Sequence, residues 1–267
     1  MRLRRPVKMP HPSREFVRAE FLGTEPLQFE EGLTVKRNRY IYPLMVLLVC
    51  GLAAGLVYAG NVTGTDCFTR NVNADQKYAA MKDLGARLRA VKDRLSDNRV
   101  IAEVNGVPVY ASDFTLKKVI LENRCQAGGK PLPKDSEVFT ALVRETLLAE
   151  EAKRLGVLPT DLDVEKYVAA MRREFALSGD PKLLDSFLNA AGLTEEAYWS
   201  SLAPRLYRQD IIVANITKAV MEQNPRRDGE SNEEYRRRIY RLNEQRMQEL
   251  MNSARINILD KDIRSLL

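Results

Sequence analysis

From Ile41 to Ala59 the chain reads IYPLMVLLVCGLAAGLVYA, 19 residues without a charge. No other stretch limits the fold so strongly, because a helix rises ~1.5 Å per residue and this length covers the ~30 Å hydrocarbon layer of a bilayer. A core helix of a globular domain would carry a polar stripe, which this run lacks. Val57-Tyr58-Ala59 has the small-residue pattern of a weak cleavage site, but the 40 residues ahead of the run exceed an ordinary signal-peptide n-region. Cys50 follows Val49 in mid-run, which does not suit a lipoprotein signal. A retained single transmembrane helix is predicted over 41–59.

Charge sorts about this run. Residues 1–40 hold nine Lys/Arg against five Glu, leaving 33 Lys/Arg and 31 Asp/Glu for the rest of a chain whose net charge is +6. The large region is therefore nearly balanced, and its charge does not support nucleic acid as a partner. Lys36, Arg37 and Arg39 abut the run, whereas Gly60 to Phe68 has no Lys or Arg. The positive-inside bias then places the N-terminus in the cytoplasm and the large region outside the cell membrane. The same three cations suit anionic lipid headgroups, so membrane lipid is an expected partner at the anchor. Pro6, Pro10, Pro12 and Pro26 with no sustained period make 1–40 a disordered basic tail. Of the three cysteines, Cys67 and Cys125 fall in a compartment that permits disulfides, and both a bridge and two thiols remain open. Their spacing matches no metal motif, and no cofactor is expected.

Residues 60–98 read as a spacer followed by an amphipathic helix. Met81, Leu84, Leu88, Val91 and Leu95 recur at spacings of 3, 4, 3 and 4, a coiled-coil period interrupted by Gly85. The stripe serves either a helix that lifts or packs on the following domain or a seam for a homodimer. From 99 to 262 the signals are those of a mainly α domain with a small β element. Val100 to Val104, Asn105-Gly106 and Val107 to Tyr110 form a hairpin signature, and Ser112-Asp113 is a candidate N-cap. Helices follow at Asp135 to Leu155 with a Gly156 stop, after Thr160, and from Asp180-Pro181 to before Gly192. Thr194 caps a longer helix in which Pro204 must make a kink or a split. Glu233 to Met251 is a charged helix, and Ala254 to Asp260 alternates like a strand able to pair with Val100 to Val104.

The series Ile101 to Val109, then Asp113-Phe114, then LVRETLLAEEAKRLG from Leu142 to Gly156, then Thr160 to Val164 and Gly192 to Glu196, resembles the N-terminal chaperone domain of the SurA/PrsA foldases. These are extracytoplasmic proteins related in this domain to trigger factor. The resemblance implies a SurA N-terminal-like helical domain closed by a short sheet, over roughly 98–262. It also implies a role with unfolded or newly exported polypeptides. Those foldases usually insert a parvulin-type prolyl isomerase module before the closing segment, a place filled here only by about Met221 to Asn232. Parvulin sites use histidines, and the sole histidine of this chain is His11, in the tail. No isomerase activity, and no catalytic residue, is expected.

The same single histidine excludes Ser-His-Asp and Cys-His arrangements on the outer side. Adjacent acidic pairs such as Glu195-Glu196 and Glu233-Glu234 point in different directions on helices, as solvated faces do. The arginines at 226, 227, 236, 237, 238 and 241 lie among glutamates, so local pairing is expected. For broad recognition of apolar chain, aromatic and Met side chains are the suitable types, and Tyr167, Met171, Phe187, Tyr198, Trp199 and Tyr207 are the candidate polypeptide-binding residues. Two functions remain in play: a membrane-anchored extracytoplasmic holdase, and a non-enzymatic scaffold or adaptor of a membrane complex.

Overall fold

The structure, a computed structural model, describes residues 74–178 and 180–265. The predicted anchor at 41–59, with the tail before it and the spacer up to residue 73, lies outside the described residues. Among the described residues no helix is long and apolar enough to cross a membrane.

The elements run α1 (Ala74–Ala90), a 3₁₀ turn (Lys92–Ser96), β1 (Val100–Val104), β2 (Val107–Tyr110), α2 (Ala111–Ala127), α3 (Asp135–Arg154), α4 (Asp161–Ser178) and α5 (Pro181–Ala191). They continue with α6 (Glu195–Ala197), a π turn (Tyr198–Leu202), α7 (Ala203–Gln223), α8 (Asn232–Ser253), β3 (Ile256–Ile258) and α9 (Lys261–Arg264). The architecture is mainly helical with one three-stranded sheet of order β2-β1-β3.

Local chemistry accounts for most boundaries. Asn105 and Gly106 take φ of 52° and 87°, the pair of positive values that a tight hairpin turn demands. β3 returns antiparallel to β1, with Val104 opposite Ile256 and Ala102 opposite Ile258. Asn105 locks this closure: its N–H donates to the Arg255 carbonyl at 2.8 Å, and its side-chain oxygen accepts from the Arg255 N–H at 2.9 Å. α3 ends in a Schellman motif, the Val157 N–H donating to Ala152 O at 2.8 Å. Thr160 and Asp163 cap α4 reciprocally, at 2.9 Å and 3.2 Å.

One expectation changes and one open alternative is decided. α2 starts at Ala111, ahead of the Ser112-Asp113 cap, because the N–H groups of Ala111 and Ser112 find the carbonyls of Arg99 and Asp97 at 2.9 and 3.0 Å. More consequentially, the 81–95 stripe is core. Met81, Leu84 and Leu88 are buried against α5, with Val91 and Leu95 packed at the edge of the same cluster. A coiled-coil seam and a core face share one period, and here the partner helix is α5 of the same chain. Gly85 permits the approach, since a Cβ there would collide with the Phe187 carbonyl and stand 2.9 Å from the Ala190 Cβ. The Tyr78 hydroxyl, donating to the Asp180 carboxylate at 2.7 Å, pins the other end of the pair.

At Pro204 the helix widens without breaking. The Ala203 N–H bonds Tyr198 O, five residues back, so the ladder widens into a π turn just ahead of the residue that has no N–H to donate. Beyond it α7 packs against α3 and α8 through Leu148, Ile212, Ile216 and Met247.

Candidate functional site

α2, α3 and α7 do not close on one another completely. They leave a groove of ≈ 360 Å³, within the ~300–1,000 Å³ typical of binding pockets. Its apolar floor is Leu116 and Ile120 of α2, Leu142 and Leu148 of α3, and Leu206 and Ile212 of α7. The helical period puts these residues on inward faces, and charged side chains of the same helices line the groove beside them.

Most of those charges are matched. Lys117 pairs with Glu145 across α2 and α3. Arg205 donates to Asp113 at 3.0 Å, and Arg208 donates to Asp161 of α4 at 2.5 Å. Arg144 lies 3.9 Å from Glu244 of α8. Asp210 differs, making no hydrogen bond or ion pair among the described residues. Burial pushes its carboxyl up to about 7, against the downward pull of Lys117 and Arg124 and with a further push from Glu145. Behind it lies a second, internal cavity of ≈ 20 Å³, lined also by Tyr198, Tyr207 and Phe187 and large enough for about one water.

The six aromatic and Met candidates lie behind and beside the groove, and none of them lines it. Phe187, Tyr198, Trp199 and Tyr207 are buried in the core cluster, with Met171 partly buried against it. Edge-to-face contacts order them: Phe187 to Tyr198 at 5.6 Å between centroids, Tyr198 to Trp199 at 4.8 Å and Tyr167 to Tyr207 at 5.6 Å. Burial raises the Tyr198 hydroxyl to about 12 and that of Tyr207 further. Of these six, only Tyr167, 38% exposed, presents substantial aromatic surface to solvent.

Asp210 was legible as an anomaly. It sits three and four residues after Tyr207 and Leu206, on the buried period of α7, where an apolar side chain is the norm. Glu151 of α3 is a more deeply buried carboxylate, 4% exposed, and it is fully compensated. It accepts from Arg154 at 2.7 Å and from Arg246 of α8 at 2.9 Å, and Arg154, then Arg246, hold its carboxyl down at about 2. This is a structural tie between α3 and α8. In the arginine-rich segment Arg238 pairs with Glu230 at 2.8 Å and Arg237 with Glu233. Among the described residues no group of three or more His, Cys, Asp or Glu side chains gathers as a metal site. Cys125 is partly buried on α2, and Cys67 lies outside the described residues.

Residues 88–212 match the family of SurA-like N-terminal domains. The chain thus carries a SurA-like N-terminal domain, from the last turn of α1 to the middle of α7, and no parvulin domain is matched. No curated protein and no solved structure matches the chain. The groove lining, from Val107 to Ile212, falls wholly inside the matched span. α8, β3 and α9 complete the fold beyond it, and the connection from α7 to α8 is the loop from Asn224 to Ser231.

Proposed function

We propose that the protein is a membrane-tethered, extracytoplasmic holdase that binds unfolded or newly exported polypeptide in the groove between α2, α3 and α7, without prolyl isomerase activity. The observation that carries this reading is the coincidence of the groove with the SurA-like span, a domain type associated with chaperones. An apolar floor beneath a rim of paired charges suits chains of varied sequence, because it offers burial without demanding particular polar partners. The anchor at 41–59 keeps the domain at the membrane face where exported chains emerge. The short α7 to α8 loop supports the non-enzymatic reading, since it stands where related foldases insert the isomerase. The adaptor reading loses one of its supports, because the 81–95 stripe is core.

Light scattering tests the proposal. The full-length chain in lipid nanodiscs is expected to suppress aggregation of a chemically unfolded client at near-stoichiometric ratios. Normal aggregation of several unrelated clients in its presence would reject the holdase. Extraction of membranes at high pH tests the tether: the protein should stay in the pellet, and its release would refute the anchor.

A further inference from the structure

Asp210 is the one charged side chain lining the groove that has neither a hydrogen bond nor an ion pair among the described residues. Its surroundings are unfavourable to a lone carboxylate. Leu116, Ile120 and Leu206 border it on both the groove side and the internal-cavity side. An ionised carboxylate in such a setting is costly unless something pairs with it. The chain's own cations do not take the role. Lys117 is held by Glu145 on the far wall, and Arg208 is turned outward to Asp161. Arg144 is drawn toward Glu244, and Arg124 acts on Asp210 only through space.

The geometry points to Asp210 as the receptor for the ammonium or guanidinium of a Lys or Arg side chain carried by a polypeptide lying in the groove. The groove then selects apolar segments punctuated by a basic residue. This rests on the groove being the polypeptide site and adds the class of segment that it prefers. The long aliphatic stem of Lys or Arg crosses the Leu and Ile floor while its charged end reaches the carboxylate, a division of labour that these side chains perform elsewhere at apolar surfaces. An entering cation supplies the partner that Asp210 lacks, and hydrogen bonds between charged groups are the strong ones.

The groups facing Asp210 define how this responds to pH. They are Lys117 and Arg124 from α2, Glu145 from α3, Tyr167 from α4, and Tyr207 on its own helix. Of these, the Tyr167 and Tyr207 hydroxyls are raised above their ordinary range and remain neutral near pH 7. With its carboxyl near 7, Asp210 is mostly neutral at pH 6 and mostly ionised at pH 8. Its attraction for a cation is therefore greater at the higher pH.

The test uses two short, capped, dye-labelled peptides of alternating Leu and Ser, one with a central Lys and the other with norleucine in its place. Anisotropy with the full-length chain in nanodiscs at pH 8 should show the Lys peptide binding roughly ten-fold tighter or more, the range of a hydrogen bond to a charged partner. That preference should fall several-fold between pH 8 and pH 6. Asp210→Asn should abolish both the preference and its pH dependence, while Leu177→Ala on the exposed face of α4 keeps them. A thermal melt verifies that Asp210→Asn keeps the fold. Equal affinity for the two peptides, or a preference that survives Asp210→Asn, overturns the assignment and leaves the groove as a site. Failure of both peptides to bind overturns the assignment together with the groove reading.

Discussion

Replacing Gly85 by alanine separates a free amphipathic helix from one packed in a core. In a free helix the change is favourable by about 1 kcal/mol, from propensity alone. In this structure the new Cβ meets the Phe187 carbonyl and stands 2.9 Å from both the Ala190 Cβ and the Ala191 nitrogen. Two of those three atoms are backbone, so no rotamer change relieves the collision, and α1 must retreat from α5 by at least about half an ångström. A gap of ~0.5–1 Å forfeits a quarter to a half of a dispersion contact. Met81, Leu84 and Leu88 share that seam, and each buried side chain is worth ~1.5–3 kcal/mol. Opening the seam therefore costs about 1.5–2 kcal/mol, and residual overpacking adds a further ~1–2 kcal/mol. After the propensity gain, the net loss is about 1.5–3 kcal/mol. At ~2–4 °C per kcal/mol for a domain of this size, Tm should fall by roughly 3–12 °C in a circular-dichroism melt. A variant that melts at or above the wild type would refute the packing of α1 on α5.

Two charge substitutions carry opposite expectations. Glu151→Gln loosens the α3 to α8 tie. Lowering a carboxyl from 4.5 to about 2 sets a ceiling of about 3 kcal/mol, which solvent screening at the partly exposed Arg154 and Arg246 reduces to roughly 1–2 kcal/mol. Because the folded value is depressed, this contribution is complete above about 4.5 and is lost as pH falls toward about 2. Urea melts should show the wild-type advantage at pH 7 shrinking steadily on acidification, and a constant difference would contradict the tie. Asp210→Asn should stabilise instead. Its raised value means that the folded state holds a proton which the unfolded chain has lost, so wild-type stability falls as pH rises from 3.8 through about 7. The variant should gain roughly 2 kcal/mol at pH 8, after allowing for water in the groove, and little at pH 4. A destabilised Asp210→Asn at pH 8 would mean that the carboxylate has a partner.

What the sequence makes legible follows the range of the physics involved. Gly156, Thr160 with Asp163, and Asn105-Gly106 act within a few residues of themselves, and each takes the role that its local chemistry implies. The pairing of 254–260 with Val100 to Val104 is long-range, yet alternation marks both partners, and β3 forms there. The stripe from Met81 to Leu95 is different in kind, because its spacing specifies a buried face without specifying what buries it. Gly85 looks like a defect until α5, about a hundred residues later, is seen to need the space. The aromatic candidates show the same limit. Residue type marks Phe187, Tyr198, Trp199 and Tyr207 as good apolar contacts, and the fold spends them on its own core. The groove is invisible to local reading, because three helices separated in the chain create it. Only Asp210, a carboxylate on the apolar period of α7, hints at where it lies.

Site-specific photocrosslinking tests the central claim most directly. Benzoylphenylalanine at Leu121 or Ala149, in the groove wall, can be compared with the same group at Leu177, 82% exposed on α4 and outside the groove. With an unfolded client and the full-length chain in nanodiscs, crosslinks should form at 121 and 149 well above those at 177. Client captured at 177 as efficiently as at the groove positions, or not captured in the groove at all, would contradict the account.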